Sequence, residues 1–388
     1  MGSAITYFKT TSKIAMGIGA VSTLPDDIKL RGGKRVLIIT DEGVARAGVA
    51  DKIRQLITSA GLEVKIFDSV PPEPPMEIIA VCLAAAKQDK SDFIVGLGGG
   101  SSMDVAKVAS VMMTNDQPPE ALVGTNLVKK RGVPTILIPT TAGTGSEVTP
   151  VAILTDTKEQ LKKSVVSDYL FPEVAILDAT LAESLPPLQT AASGMDALIH
   201  AVEAYTSINA MPYTDHLAER AMRLITANIR SAWAYGKNMD ARMKMLEGSL
   251  LAGQAFANAG VTAVHAFSYP LGGEFHVAHG VANTLMLCPV MRYNMIANIG
   301  KFAQMASVLC PHLSKEKGSL KEIASEGISA LEELARDLNL PLRLRDINIP
   351  EQAIDRMSAA MLKCTRPLGN NPRTVGLEDA KKIYREAY

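Results

Sequence analysis

The chain has no surplus of charge of either sign: 40 basic side chains stand against 40 acidic ones in 388 residues, and no long basic run breaks that balance. A nucleic-acid groove, or any other polyanionic partner, therefore has no electrostatic footing. Cysteine is scarce. Cys82, Cys288, Cys310 and Cys364 are scattered without a CxxC pair. A chain this long needs no disulfide staples, so they read as free thiols in a reducing compartment. No apolar run reaches membrane-spanning length, and the N-terminal MGSAITYFKTTSK has no signal-peptide core. A cytoplasmic location with no membrane partner is expected. Internal repeats and low-complexity segments are also missing. What is abundant is apolar surface, 47% of residues, enough for two hydrophobic cores and hence two domains.

Residues 5 to 40 read as a β-rich start, with ITYFKTT alternating, IAMGIGA supplying glycines for a turn and RVLIIT forming a buried-strand run. Helical patterns then alternate with apolar runs: VADKIRQLITSAG, EVKIF, PMEIIAVCLAAAKQDK, FIVGLGGG, MDVAKVASVMM and TILIPT. That alternation predicts a Rossmann-like parallel sheet with helices on both faces over residues 1–185. From Pro186 the strand-like runs thin out, and amphipathic stretches over 188–206, 214–234, 240–258, 280–308, 317–338 and 350–363 predict an all-helical domain over 186–388. LPPLQ, Leu185 to Gln189, is the linker candidate.

Ligands of parallel sheets bind beyond the carboxyl ends of the strands. Three loops stand at such ends: Asp41 after RVLIIT, GLGGGSSMD from Gly96 to Asp104, and PTTAGTGSE from Pro139 to Glu147. Glycine lets backbone approach a ligand closely, and the N–H groups opening the helix after Ser101 favour phosphate. The G-x-G-x-x-G fingerprint is incomplete, because Ser101 stands where its last glycine belongs, and no P-loop lysine is present. Taken alone, GLGGG reads equally as a tight strand-to-helix turn; the second loop, dense in small hydroxyl residues, favours a dinucleotide phosphate.

Five of the six histidines fall between Ser193 and Gly280, among them His200, His265, His276 and His279, and Asp196 precedes the first of them by four residues. On a helix, Asp196 and His200 share one face. Pro270 and Gly272-Gly273 are expected to break the backbone between His265 and His279, letting two separated histidines return to one point. Asp196, His200, His265 and His279 would then offer one oxygen and three nitrogens, a set suited to Fe(II) or Zn(II) rather than to calcium or magnesium.

The combination GGGSSMDVAK, PTTAGTGSE, Asp196-x3-His200 and VHAFSYPLGGEFHVAHG resembles the group III iron-containing alcohol dehydrogenases along almost the whole chain. That resemblance implies an α/β dinucleotide-binding domain, a helical metal-binding domain of the dehydroquinate synthase-like architecture, and a cleft between them. It places the metal on Asp196, His200, His265 and His279, and pyrophosphate contacts on Gly99, Gly100 and Ser101, with Gly98 and Asp104 of the same loop in the cofactor site. Thr140, Thr141 and Thr144 form the second cofactor loop and Lys162 falls near the ribose. Asp41 would hydrogen-bond the adenine ribose and repel a 2′-phosphate, which selects NAD(H) over NADP(H). The implied activity is metal-dependent interconversion of an alcohol with an aldehyde or ketone, in a homodimer or larger homo-oligomer. Many members of the family carry a second histidine four residues after the third ligand; Tyr269 stands there instead. Tyr269 and His276 are thus the candidates for proton transfer. The tyrosine also resembles the hydroxyacid-oxoacid transhydrogenase branch. A dehydroquinate synthase-like lyase would need a basic cluster for a substrate phosphate, and a nucleotide-binding regulator without turnover would need no metal centre.

Overall fold

A computed structural model describes residues 5–158, 161–310 and 318–388. The chain forms two compact units. One comprises Thr10–Leu185 and Gly236–Leu250; the other comprises Met1–Lys9, Pro186–Tyr235 and Leu251–Tyr388.

The first unit is built on six strands, β1 (Lys13–Met16), β2 (Arg35–Ile39), β3 (Glu63–Phe67), β4 (Phe93–Gly98), β6 (Thr135–Pro139) and β9 (Val174–Leu177), interleaved with helices α1 (Leu24–Leu30), α2 (Glu42–Arg46), α3 (Val49–Ser59), α4 (Ile78–Gln88) and α5 (Gly100–Met112). The strand order is β1-β9-β6-β4-β2-β3, and every pairing is parallel. Side chains alternate across a strand, so Leu37, Ile39, Ile94 and Leu137 pack against α4 and α5. Val36, Ile38, Val95 and Ile136 face the other way, onto α1 and α3. Both faces are buried, which is why these strands read as unbroken apolar runs. Strand β3 lies on one side of β2 and β4 on the other. The order reverses there, and the carboxyl ends of β2 and β4 flank the switch point at which such sheets bind nucleotides.

Three shorter strands, β5 (Gly124–Thr125), β7 (Val151–Asp156) and β8 (Leu161–Val166), form a second sheet in the order β5-β8-β7, with β7 and β8 antiparallel. Neither this sheet nor β9 was foreseen, because the partly exposed LKKSVV of β8 alternates weakly. The expected β-rich start is corrected at its beginning. Residues 5–11 carry no regular structure, and Ile5 and Tyr7 are exposed; only Lys13–Met16 has a partner strand, β9. The same region holds the unforeseen helix α1.

The helical unit contains α6 (Pro187–Thr206), α7 (Pro212–Ala234), α9 (Ala263–Phe275), α10 (His279–Asn294), α11 (Ile299–Leu309), α12 (Leu320–Asp337), α13 (Ile354–Met361), α14 (Thr365–Gly369) and α15 (Leu377–Ala387). Helix α8 (Met239–Ala259) begins in the α/β unit and ends in the helical one. Residue 317, where one helical stretch is expected to begin, lies outside the described residues. Two breaks fall elsewhere than expected. Helix α9 runs through Pro270 and both glycines and stops only at His276, whose left-handed backbone (φ 54°) closes it. The N–H groups of His276 and Val277 bond back to the carbonyls of Gly272 and Leu271 in the manner of a Schellman cap. Proline deletes one helical rung, and the buried Tyr384 hydroxyl donates to the neighbouring Phe267 carbonyl at 2.7 Å. The expected 280–308 stretch is divided at Asn298, whose side chain caps α11 through Lys301 N–H. Among the described residues no helix is long and apolar enough to cross a membrane.

Candidate metal centre and nucleotide loops

In the helical unit, α6 places Asp196, His200 and Glu203 on one face at intervals of four and three residues, all buried. His265 comes from the first turn of α9 and His279 opens α10. Helix α10 can approach because Gly280 follows at once: a Cβ there would lie 2.2 Å from the Ala192 carbonyl oxygen of α6. The donor atoms of Asp196, His265 and His279 all lie within 4.8 Å of one another. His200 joins them through Nε2, 3.1 Å from Nε2 of His265, with its ring stacked on Phe256 at 4.4 Å.

Two further residues complete the cluster, and neither was singled out from the sequence. Asn283, one turn after His279 and fully buried, donates from Nδ2 to Asp196 Oδ1 at 2.7 Å, and the same nitrogen lies 3.1 Å from His279 Nε2 and 3.3 Å from His265 Nε2. Its Oδ1 is buried without a partner. Glu203 binds Nδ1 of His265 through Oε2, while its Oε1 accepts from Thr262 N–H at 3.0 Å, Thr262 Oγ1 at 2.7 Å and Val264 N–H at 2.8 Å. Asp196-x3-His200-x2-Glu203 puts a third polar residue on the helix face already identified; that was the available signal.

Burial alone would raise the Asp196 carboxyl, but the imidazoles of His200, His279 and His265 and the Asn283 amide hold it down to about 2. A carboxylate oxygen and imidazole nitrogens that converge within 4.8 Å of one another form a site that a cation satisfies. One carboxylate and three imidazoles fit a borderline divalent metal rather than a hard one.

The two proton-transfer candidates differ in placement. Tyr269 is half-buried on α9, its ring edge-on to His265 at 6.5 Å. His276 is exposed at the end of that helix.

In the α/β unit, Asp41 follows β2 and caps α2, accepting from Val44 N–H at 3.0 Å, while its other oxygen accepts from Ser102 Oγ at 3.2 Å. Gly98 has φ 144°, and a Cβ there would lie 3.0 Å from Asp41 Oδ2; only glycine fits. A Cβ on Gly100 would lie 2.7 Å from Thr144 Cγ2, so the two glycine-bearing loops touch. Thr140 N–H bonds to Gly98 O at 3.0 Å. Helix α5 starts at Gly100 with no side-chain cap, leaving its opening N–H groups for an anion. Gly99, Ser101 and Thr141 are half-buried in the same loops.

Asp104 and Lys162 are committed within the chain. Asp104 accepts from Ser146 Oγ at 2.6 Å and Ile153 N–H at 2.8 Å. Beside it the buried Lys107 donates to Thr149 Oγ1 and the Val151 carbonyl. Burial pushes the Lys107 ammonium down to about 8 and the Glu147 carboxyl up to about 7. The group braces α5 against the loop 139–151. Lys162 pairs with Glu73 at 2.8 Å.

The chain matches two family descriptions, "Iron-containing alcohol dehydrogenase" over residues 11–179 and "Fe-containing alcohol dehydrogenase family, C-terminal" over 190–388. It is 40% identical to long-chain-alcohol dehydrogenase 1 of Geobacillus thermodenitrificans over 96% of this chain and 94% of that protein. With the 1,3-propanediol dehydrogenase of Klebsiella pneumoniae it shares 38% identity over 96% of each. Among solved structures, a 1,3-propanediol oxidoreductase superposes with TM-score 0.96 at 37% identity, covering 99% of this chain and 100% of that one. The NAD+ complex of a sulfoacetaldehyde reductase from Bifidobacterium kashiwanohense gives TM-score 0.88 at 30% identity and 99% coverage of both.

Proposed function

The chain belongs to the iron-containing alcohol dehydrogenase family, and from that premise we propose that it interconverts an alcohol and an aldehyde or ketone with NAD(H), holding divalent iron through Asp196, His200, His265 and His279. Zinc is the alternative ion, since the same donors serve both. The observation that carries the reading is the convergence of one carboxylate and three imidazoles from α6, α9 and α10, with Asp196, His200 and His265 buried and His279 half-buried.

A divalent ion held by Asp196, His200, His265 and His279 would supply Lewis acidity at the substrate oxygen, and NAD(H) would supply the hydride chemistry. The chain's own groups orient and exclude. The ring of Phe256 against His200 restrains that imidazole, and Asn283 fixes the Asp196 carboxylate by its 2.7 Å bond. Burial raises the Tyr269 hydroxyl above its ordinary value. It keeps its proton near neutrality, and its role is hydrogen bonding to the substrate oxygen rather than acting as a base. The uncapped start of α5 and its glycines receive the dinucleotide phosphates, and Asp41 receives the adenine ribose.

The enzyme is cytoplasmic and homodimeric in this reading. The four cysteines, none in a disulfide, support the first, and sedimentation tests the second. The decisive assay is alcohol-dependent NADH formation before and after chelation. Activity should fall at least a hundredfold on metal removal and return with Fe(II); full activity in metal-free protein contradicts the proposal.

A further inference from the structure

The geometry points to Glu203 as the positioning residue that makes His265 a metal ligand, fixing by one buried carboxylate both where the imidazole sits and which of its nitrogens carries the proton. The inference rests on the ligand set proposed above and extends it to a residue outside that set.

Glu203 is fully buried on α6, and both its oxygens are engaged. Oε1 gathers three donors from the start of α9: the N–H of Thr262, the Thr262 hydroxyl and the N–H of Val264. Those three donors commit Oε1 to the backbone and cap residue of α9. Oε2 takes the remaining contact, Nδ1 of His265. With Oε1 filled by three donors and Oε2 accepting, the hydrogen between Glu203 and the ring belongs to His265 Nδ1. The lone pair is thereby left on Nε2, the nitrogen that faces His200 Nε2 at 3.1 Å and Asn283 Nδ2 at 3.3 Å. Without this partner a neutral imidazole could place its proton on Nε2 and would then offer the cluster a donor. A carboxylate on the far nitrogen also raises the basicity of the ligating one.

The same oxygens hold the α9 backbone. Thr262 is the N-cap of α9 and has no side-chain cap bond within the helix, so Glu203 supplies from α6 what a local cap would otherwise provide. One side chain therefore sets the position of the helix that delivers His265 and the tautomer of the ring.

Glu203→Gln separates these duties. Its carbonyl oxygen remains the better partner for three donors, which leaves its NH2 facing His265 Nδ1. That donor calls for an acceptor at Nδ1 and so drives the imidazole proton to Nε2. The experiment prepares the full-length protein free of metal and titrates it with Zn(II) against a chromophoric chelator, and with Co(II) to read the donor set from its visible spectrum. The wild type should bind one ion per chain. Glu203→Gln should bind Zn(II) about 10–100-fold more weakly, with an altered Co(II) spectrum and a far-UV circular dichroism spectrum like that of the wild type. Wild-type affinity and spectrum in Glu203→Gln overturn the inference, whereas failure of the wild type to bind metal overturns the ligand assignment instead. A second measurement needs no variant: 15N spectra of histidine-labelled metal-free wild type should show His265 protonated at Nδ1, and protonation at Nε2 alone contradicts the role given to Glu203.

Discussion

Tyr269 lies edge-on to His265, and its burial has a chemical consequence. Burial raises this phenol, so the ionised form is unavailable at neutral pH and the residue is confined to hydrogen bonding. Tyr269→Phe should raise KM by about two- to tenfold, the worth of one hydrogen bond, and leave the shape of the pH–rate profile unchanged. Loss of one limb of the profile would show instead that the tyrosine titrates during turnover. His276 is exposed at a helix end, so His276→Ala should match the wild type in kcat and pH dependence. From the sequence both residues were candidates for proton transfer; exposure separates them. Asp41, proposed above to receive the ribose, also caps α2. Asp41→Ser keeps a capping oxygen and removes the charge. NADP use should improve by up to about a hundredfold, a change worth roughly 3 kcal/mol; an unaltered NADP/NAD ratio would place the ribose elsewhere.

The elements decide how the ligands meet. Asp196 and His200 are fixed by helical spacing alone, whereas His279 depends on how closely α10 lies on α6. Gly280 sets that approach, because an added methyl would meet Ala192 backbone at 2.2 Å and backbone cannot step aside as a flexible side chain can. Gly280→Ala should therefore push α10 outward, cost about 1–3 kcal/mol of stability, and weaken metal binding more than Gly369→Ala, where a Cβ meets nothing within 4 Å. Equal metal affinity in the two variants would mean that α10 accommodates the methyl without moving His279. The Pro270 reading went wrong at this scale as well. Proline removes only the rung to the Ala266 carbonyl, and α9, packed against α10 and α13, continues through it to His276; those packing partners lie outside the sequence of α9.

At the scale of the molecule, all four proposed ligands lie in the helical unit, while the nucleotide loops lie in the α/β unit. Metal binding stabilises what it binds by RT ln(1 + [L]/Kd), about 2.7 kcal/mol at a hundredfold excess over Kd. Chelation should accordingly lower the melting temperature of the helical unit by several degrees and leave the NAD+-induced shift of the other unit intact; a chelator without effect on melting would argue that no ion is held. The sequence by itself determined what depends on local spacing. Alternating apolar runs and helical periods specify a parallel sheet followed by helices, glycines mark the loops at strand ends, and an i,i+4 Asp-His pair marks one half of the proposed metal site. Tertiary structure alone decided what depends on partners distant in the chain. It recruited Glu203 and Asn283 to the cluster, engaged Asp104 and Lys162 with protein partners, and left His276 in solvent. The physical reason is that a polar side chain's role is set by the groups that satisfy it, and for buried groups those come from other elements, at separations that no local pattern encodes.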